Sequence, residues 1–195
     1  MRKRRILAAV AAALAVPLAT ALPAQSHGWI STPPSRAALC AAGTVADCGD
    51  IQWEPQSVEG PKGFPALGPA DGTLCAGGNS RFAQLDDPRG GNWPATKVTE
   101  GQRLTFTWKF TARHATTSFR YFLTKPGYNA ATKLTRSNLD TTPFLTVPYN
   151  GARPPSTLSH TATLPAGRSG HQLVLAVWEI ADTGNAFYSC IDVTF

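Results

Sequence analysis

The stretch Leu104-Thr105-Phe106-Thr107-Trp108-Lys109-Phe110 puts an apolar side chain at every second position, with threonine or lysine between. Side chains along a strand point alternately to opposite faces, so this spacing describes a strand with one face in a core and the other in water. Phe119, Tyr121 and Leu123 repeat the pattern. Leu173 to Trp178 is a continuous apolar run, which suits a central strand buried on both faces, and Phe187 to Phe195 closes the chain as another strand. Turn residues separate these runs. The predicted fold is therefore mostly β, an immunoglobulin-like or fibronectin-III-like antiparallel β-sandwich.

Upstream of the strands the composition changes. From Gly28 to about Thr96 the chain is crowded with Gly, Pro, Asp and Asn, punctuated by Pro33-Pro34, Gly60-Pro61, Gly68-Pro69 and Gly90-Gly91. This predicts a long N-terminal loop region with short helical or strand pieces, and loops of that length usually form functional surfaces.

The chain opens Met-Arg-Lys-Arg-Arg, followed by the apolar run Ile6 to Ala15 and then small residues and prolines. That order describes a secretory signal peptide, and the run is shorter than the about 20 residues a membrane span needs. The Arg4-Arg5 pair leaves twin-arginine export open beside the general route. Ala24-Gln25-Ser26 suits a signal peptidase and would leave His27 first; Ala19-Thr20-Ala21 also suits it and would leave Leu22 first. With the first cut, residues 1–26 are the signal and 27–195 form one secreted, extracellular domain. The leader holds four of the 18 basic residues and none of the 12 acidic ones, leaving 14 against 12. No basic stripe remains, so no nucleic-acid partner is expected, nor any membrane contact after cleavage. A monomer is expected.

Four cysteines in an exported chain read as two disulfides, with three pairings possible. Cys40 and Cys48 are close enough to staple a local loop, which leaves Cys75 with Cys190. A zinc site is the competing reading, but no Cys-x-x-Cys pair is present.

There are four histidines. His114 lies between two predicted strands, hence at one end of the sandwich, while His160 and His171 read as solvated or capping residues. His27 differs if the cut falls before it. A free α-amine and the imidazole of the same residue form a chelate, and one further imidazole completes three nitrogens, a set that suits copper. Without that cut, His27 is part of a flexible terminus.

The segment from Val177 to Tyr188, with His27-Gly28-Trp29, the run from Trp53 to Pro65 and Thr111-Ala112-Arg113-His114, resembles the bacterial lytic polysaccharide monooxygenases. These are the chitin-binding-protein family, auxiliary activity family ten. The resemblance also takes in Gly68-Pro69-Ala70-Asp71-Gly72 and Tyr121-Phe122-Leu123-Thr124-Lys125-Pro126, and so spans the chain from His27 onward.

The resemblance implies one copper ion per chain, held by His27 and His114 in a histidine brace. Ala112 matches the small residue on one axial side of the metal. Phe187 matches the aromatic on the other, where many relatives carry tyrosine; as a residue type alone it reads as strand core. Glu59 matches an acid thought to gate small oxygen species, although by itself it reads as a surface loop carboxylate. Trp178 matches a buried aromatic behind the site, which packing alone explains. Trp53 matches the exposed aromatic of a flat binding face, where chitin-active relatives often have tyrosine. Glu54, Pro55, Gln56, Asp182 and Asn185 match neighbours that touch crystalline chitin. One departure concerns the second disulfide, for which chitin-active relatives can use the area that holds Leu145 and Thr161 here.

The implied chemistry is oxidative. An external electron donor reduces the copper, hydrogen peroxide or oxygen is the co-substrate, and oxidation at the anomeric carbon breaks the glycosidic bond to give aldonic acids. The rivals are a non-catalytic chitin- or cellulose-binding module, which needs no brace; a glycoside hydrolase, which needs two carboxylates flanking the sugar; a copper carrier, which needs no sugar face; and cleavage of cellulose instead of chitin.

Overall fold

The computed structural model describes residues 27–195; the expected leader, residues 1–26, lies outside them. The described chain is a sandwich of two sheets. The smaller holds β1 (His27–Thr32), β4 (Arg103–Ala112) and β7 (Thr157–Thr163), in the order β1-β4-β7. The larger runs β2 (Glu59–Pro61), β9 (Asn185–Thr194), β8 (His171–Ile180), β5 (Thr116–Leu123) and β6 (Leu145–Pro148). A short β3 (Thr96–Lys97) adds parallel to the end of β9, and every other pairing is antiparallel.

The alternation in β4 turns Leu104, Phe106, Trp108 and Phe110 inward, where they meet Ile30, Phe119, Tyr121, Trp178 and Ile191 between the sheets. The apolar run of β8 is continuous because both its faces are covered. Val174, Ala176 and Trp178 enter the inter-sheet core. Leu173, Leu175 and Val177 face a second core beneath the loop region, with Ile51, Phe64, Leu74 and Phe82. Each fully buried phenylalanine adds about 1.5–3 kcal/mol, so the loops are held by burial as well as by cross-links.

Between β1 and β3 the chain forms one short helix, α1 (Arg36–Ala41), capped by Ser35, whose hydroxyl accepts from Ala38 N, and three 3-10 turns at Gly49–Gln52, Ser80–Leu85 and Arg89–Gly91. The cross-links join Cys40 to Cys48 and Cys75 to Cys190, as the spacing suggested, and the second fixes the loop region to β9. Leu145 and Thr161 lie on β6 and β7, in different sheets.

Two histidines depart from the reading as solvated residues. His160 is buried on β7, its Nδ1 2.7 Å from the Tyr121 hydroxyl. That hydroxyl accepts from Trp108 Nε1 at 2.9 Å, so its own proton is free to go to the imidazole. Burial pulls His160 down to about 4, which keeps the ring neutral. His171 Nε2 lies 2.7 Å from Asp192, which also takes a two-pronged contact from Arg36 at 2.7 and 3.0 Å. Burial would raise Asp192, but the bonds from Arg36 and His171 outweigh it and hold the carboxyl below its ordinary value.

Candidate metal centre and sugar face

The register of β1 against β4 sets His27 opposite Ala112, two residues before His114. The first residue of β1 and the turn after β4 therefore share one end of the sandwich. Gly28 makes this approach possible. A Cβ there would stand 2.6 Å from Phe110 Cδ1 and 3.1 Å from the Trp178 ring, so a larger residue would force the start of β1 or these rings to shift. Gly28 N also donates to Gln56 O at 3.0 Å, tying the start of β1 to the segment that carries Trp53 and Glu54.

His114 is buried, and its Nδ1 has no hydrogen-bond partner among the described residues; the nearest acid, Asp182 Oδ1, is 3.5 Å away. A buried ring nitrogen left unpaired costs free energy, so its neighbourhood calls for a ligand or a solvent contact. The backbone under it is fixed. Thr116 Oγ1 donates to His114 O at 3.0 Å and accepts from Trp178 Nε1 at 2.8 Å, so one hydroxyl links the turn to the core indole. Trp178 packs edge-on against Phe110 at 4.7 Å and tilted against Phe187 at 4.9 Å. Phe187 is fully buried, and Ala112 is half-buried.

Glu59 is not on a loop. It begins β2, paired with Phe187 of β9, and the next residue, Gly60, packs directly against the Gly77 backbone. A Cβ on Gly60 would fall 1.9 Å from Gly77 O, a contact no side-chain rotation relieves. Glu59 Oε1 accepts from Asn185 Nδ2 at 2.8 Å, which orients the carboxylate. Glu59 and Asn185 line, with His27, Glu54, Ser57, Asn79 and Arg81, a polar cavity of about 390 Å³.

Around this opening lie the expected sugar-binding residues. Trp53 follows the 3-10 turn Gly49–Gln52 and is 80% exposed, unusual for so large an apolar ring. Glu54, Pro55 and Gln56 are half-buried beside it, and Asp182 and Asn185 are exposed on and just after the turn from β8 to β9. Residue type alone did not single out Lys62, Arg81 or Thr116. Lys62 Nζ donates to Ile180 O at 3.1 Å and Thr183 O at 2.5 Å, and its backbone N donates to Gly184 O at 3.0 Å, so it holds the turn that carries Asp182. Arg81 Nη2 reaches Glu54 at 2.5 Å and Asp50 at 3.3 Å.

Among the described residues no group of three or more His, Cys, Asp or Glu is poised around a metal. Two imidazoles and a terminal amine would be a different donor set, and the residues fit it: one imidazole at a strand start, the other buried with Nδ1 unpaired.

This end of the β-sandwich places two histidines and an acid-lined cavity beside an exposed aromatic, and comparison with known proteins names the class. Residues 27–193 match the family described as lytic polysaccharide mono-oxygenase, cellulose-degrading, and the chain belongs to these auxiliary activity family ten enzymes. It is 47% identical to the lytic chitin monooxygenase of Streptomyces ambofaciens, over 98% of this chain and 95% of that one. It is 42% identical to the GlcNAc-binding protein A of Shewanella oneidensis over 88% of this chain. The solved structure of a lytic polysaccharide monooxygenase from Streptomyces lividans is 62% identical, covering 87% of this chain and all of that one with a TM-score of 0.84. The Bacillus amyloliquefaciens CBM33, solved in complex with Cu(I), is 37% identical over 86% and 99% of the two chains with a TM-score of 0.78. The chain spans 36% to 52% of the length of the first several curated relatives it matches.

Proposed function

We propose that this protein is secreted, begins at His27 after cleavage, binds one copper ion, and oxidatively cleaves crystalline chitin at the anomeric carbon. The observation that carries the reading is the pairing of His27 with Ala112, which puts a strand-start histidine beside the turn of a second, buried histidine with Nδ1 unpaired. The copper-bound Bacillus relative and the Streptomyces chitin monooxygenase support it.

His27, through amine and imidazole, and His114, through its ring, would hold the ion. Bound there, copper supplies one-electron redox chemistry toward hydrogen peroxide or oxygen, with electrons from an external donor. Ala112 and the Phe187 ring offer no further ligand on their sides. Glu59, held by Asn185, presents a carboxylate to a small co-substrate in the cavity and can accept or return a proton there. Trp53 stacks on a sugar face while Glu54, Pro55, Gln56, Asp182 and Asn185 complete a flat surface for a chain on the crystal. Trp178 supports the floor by packing. The protein acts as a monomer.

The test is mass spectrometry of soluble products after incubating the protein from His27 onward with copper, ascorbate and β-chitin. Aldonic-acid chito-oligosaccharides that vanish in His114→Ala are expected. Unoxidised oligosaccharides, or binding without products, would overturn the reading. The family's cellulose-degrading description favours a second substrate, so cellulose belongs in the same experiment; oxidised cello-oligosaccharides alone would replace chitin with cellulose.

A further inference from the structure

We propose that Arg81 is a specificity-determining residue of the sugar face, setting its preference for neutral acetylated chains over cationic deacetylated ones. This rests on the proposed chitin-binding role of that face. Arg81 sits in the 3-10 turn Ser80–Leu85, over the Phe82 ring at 5.3 Å, with its side chain 58% exposed. From there its guanidinium reaches across to the Asp50–Glu54 segment, the segment that presents Trp53. It is the one lysine or arginine among the residues lining the cavity beside His27, whereas Glu54 and Glu59 both line it.

The charge balance follows. Asp50, Glu54 and Glu59 would give this patch three negative charges, and Arg81 offsets part of that field through two direct ion pairs. Lys62 lies one residue beyond the cavity-lining Pro61, but its ammonium is aimed at the carbonyls of Ile180 and Thr183, and Asp182 adds a further acid near His114. Both contacts of Arg81 come from Nη2, so Nε and Nη1 are not spent on these carboxylates and can donate to a sugar hydroxyl or an acetamido carbonyl. A neutral acetylated chain meets a pinned Glu54 and spare donors. A chain bearing ammonium groups meets a guanidinium of like charge. Without Arg81 the acids of the patch are left without their one direct counter-charge among the described residues and attract ammonium groups more strongly, across a distance that salt screens.

Binding isotherms of copper-free protein test this on β-chitin and on insoluble chitosan at mildly acidic pH. For Arg81→Gln we expect binding about two- to fivefold weaker on β-chitin and about two- to fivefold tighter on chitosan, the range an exposed ion pair carries. The chitosan gain should disappear in high salt and in the double variant Arg81→Gln with Glu54→Gln. Arg81→Lys should keep the wild-type preference, and the exposed position predicts unchanged thermal midpoints. An unchanged ratio of the two affinities in Arg81→Gln overturns the role of Arg81. Wild-type protein that fails to bind β-chitin overturns instead the reading on which it rests.

Discussion

His27 stands opposite Ala112 across the β1–β4 pair, and this register ties the start of the described chain to the turn that carries His114. The two elements are joined at their ends by backbone pairing and underneath by the Phe110–Trp178–Phe187 layer. Geometry of this kind is sensitive to added volume wherever backbone approaches backbone.

Gly60→Ala tests that sensitivity directly. The added methyl would meet Gly77 O at 1.9 Å, so β2 or the Gly77 backbone must move, and the setting of Glu59 with it. Overpacking of this type costs about 1–3 kcal/mol. A lowered thermal midpoint and loss of oxidising activity are expected. A variant as stable and as active as wild type would show that this backbone contact does not hold Glu59 in place.

Glu59→Gln separates charge from shape. The amide keeps an oxygen to accept from Asn185, so the local arrangement should persist while the carboxylate's proton chemistry is lost. Product formation should fall about 10²-fold or more, with copper affinity unchanged. Undiminished product formation would remove Glu59 from the reaction.

The long-range disulfide should matter more than the local one. Cys75–Cys190 closes 115 residues and Cys40–Cys48 only 8. On the chain-entropy account a 100-residue loop is worth about 4.7 kcal/mol and a 15-residue loop about 3. Denaturant unfolding of Cys75→Ala with Cys190→Ala should show the larger loss; equal losses would indicate that the loop region is held chiefly by its apolar core.

Stability should depend on pH through two groups of opposite sign. Burial pushes Asp86 up to about 6, ahead of the opposing bonds from Ala76 N and Cys75 N. Its native form holds a proton that the unfolded chain has released, so its contribution is full below the ordinary carboxyl range and is lost as pH rises to about 6. His160, pulled down to about 4, behaves oppositely: its contribution is present above the ordinary imidazole value and is lost as pH falls toward 4. Each spans roughly 3 kcal/mol at 1.36 kcal/mol per pKa unit. Wild type should show a shallow profile between pH 4 and 6. Asp86→Asn should expose the acid-side loss due to His160, and His160→Gln the opposite slope. Parallel profiles for all three proteins would contradict the assignment.

Alternation revealed β4 and β5, and the apolar run Leu173 to Trp178 and the closing stretch Phe187 to Phe195 revealed β8 and β9, because their inward residues are large and apolar. β7 follows the same rule with Leu158, His160 and Ala162, but its hydrophobicity is low and His160 looked solvated until Tyr121 supplied its partner. β1 is a strand because β4 pairs with it, a fact absent from the run His27-Gly28-Trp29. His27 was legible as a candidate chelate from the cleavage pattern, whereas its proposed partner His114, Glu59 and the proposed sugar face were legible only through family motifs. Thr116, Lys62 and Arg81 were not legible, because their roles come from partners far away in the chain: Trp178, Thr183 and Glu54.

Cleavage before His27 would create a copper ligand, the amine of His27 itself, and calorimetric titration with Cu(II) measures its contribution. Protein beginning at His27 should bind one ion tightly, and the same protein retaining Ser26 should bind far more weakly because the amine has become an amide. Equal affinity and stoichiometry for the two proteins would mean that the His27 amine is not a copper ligand.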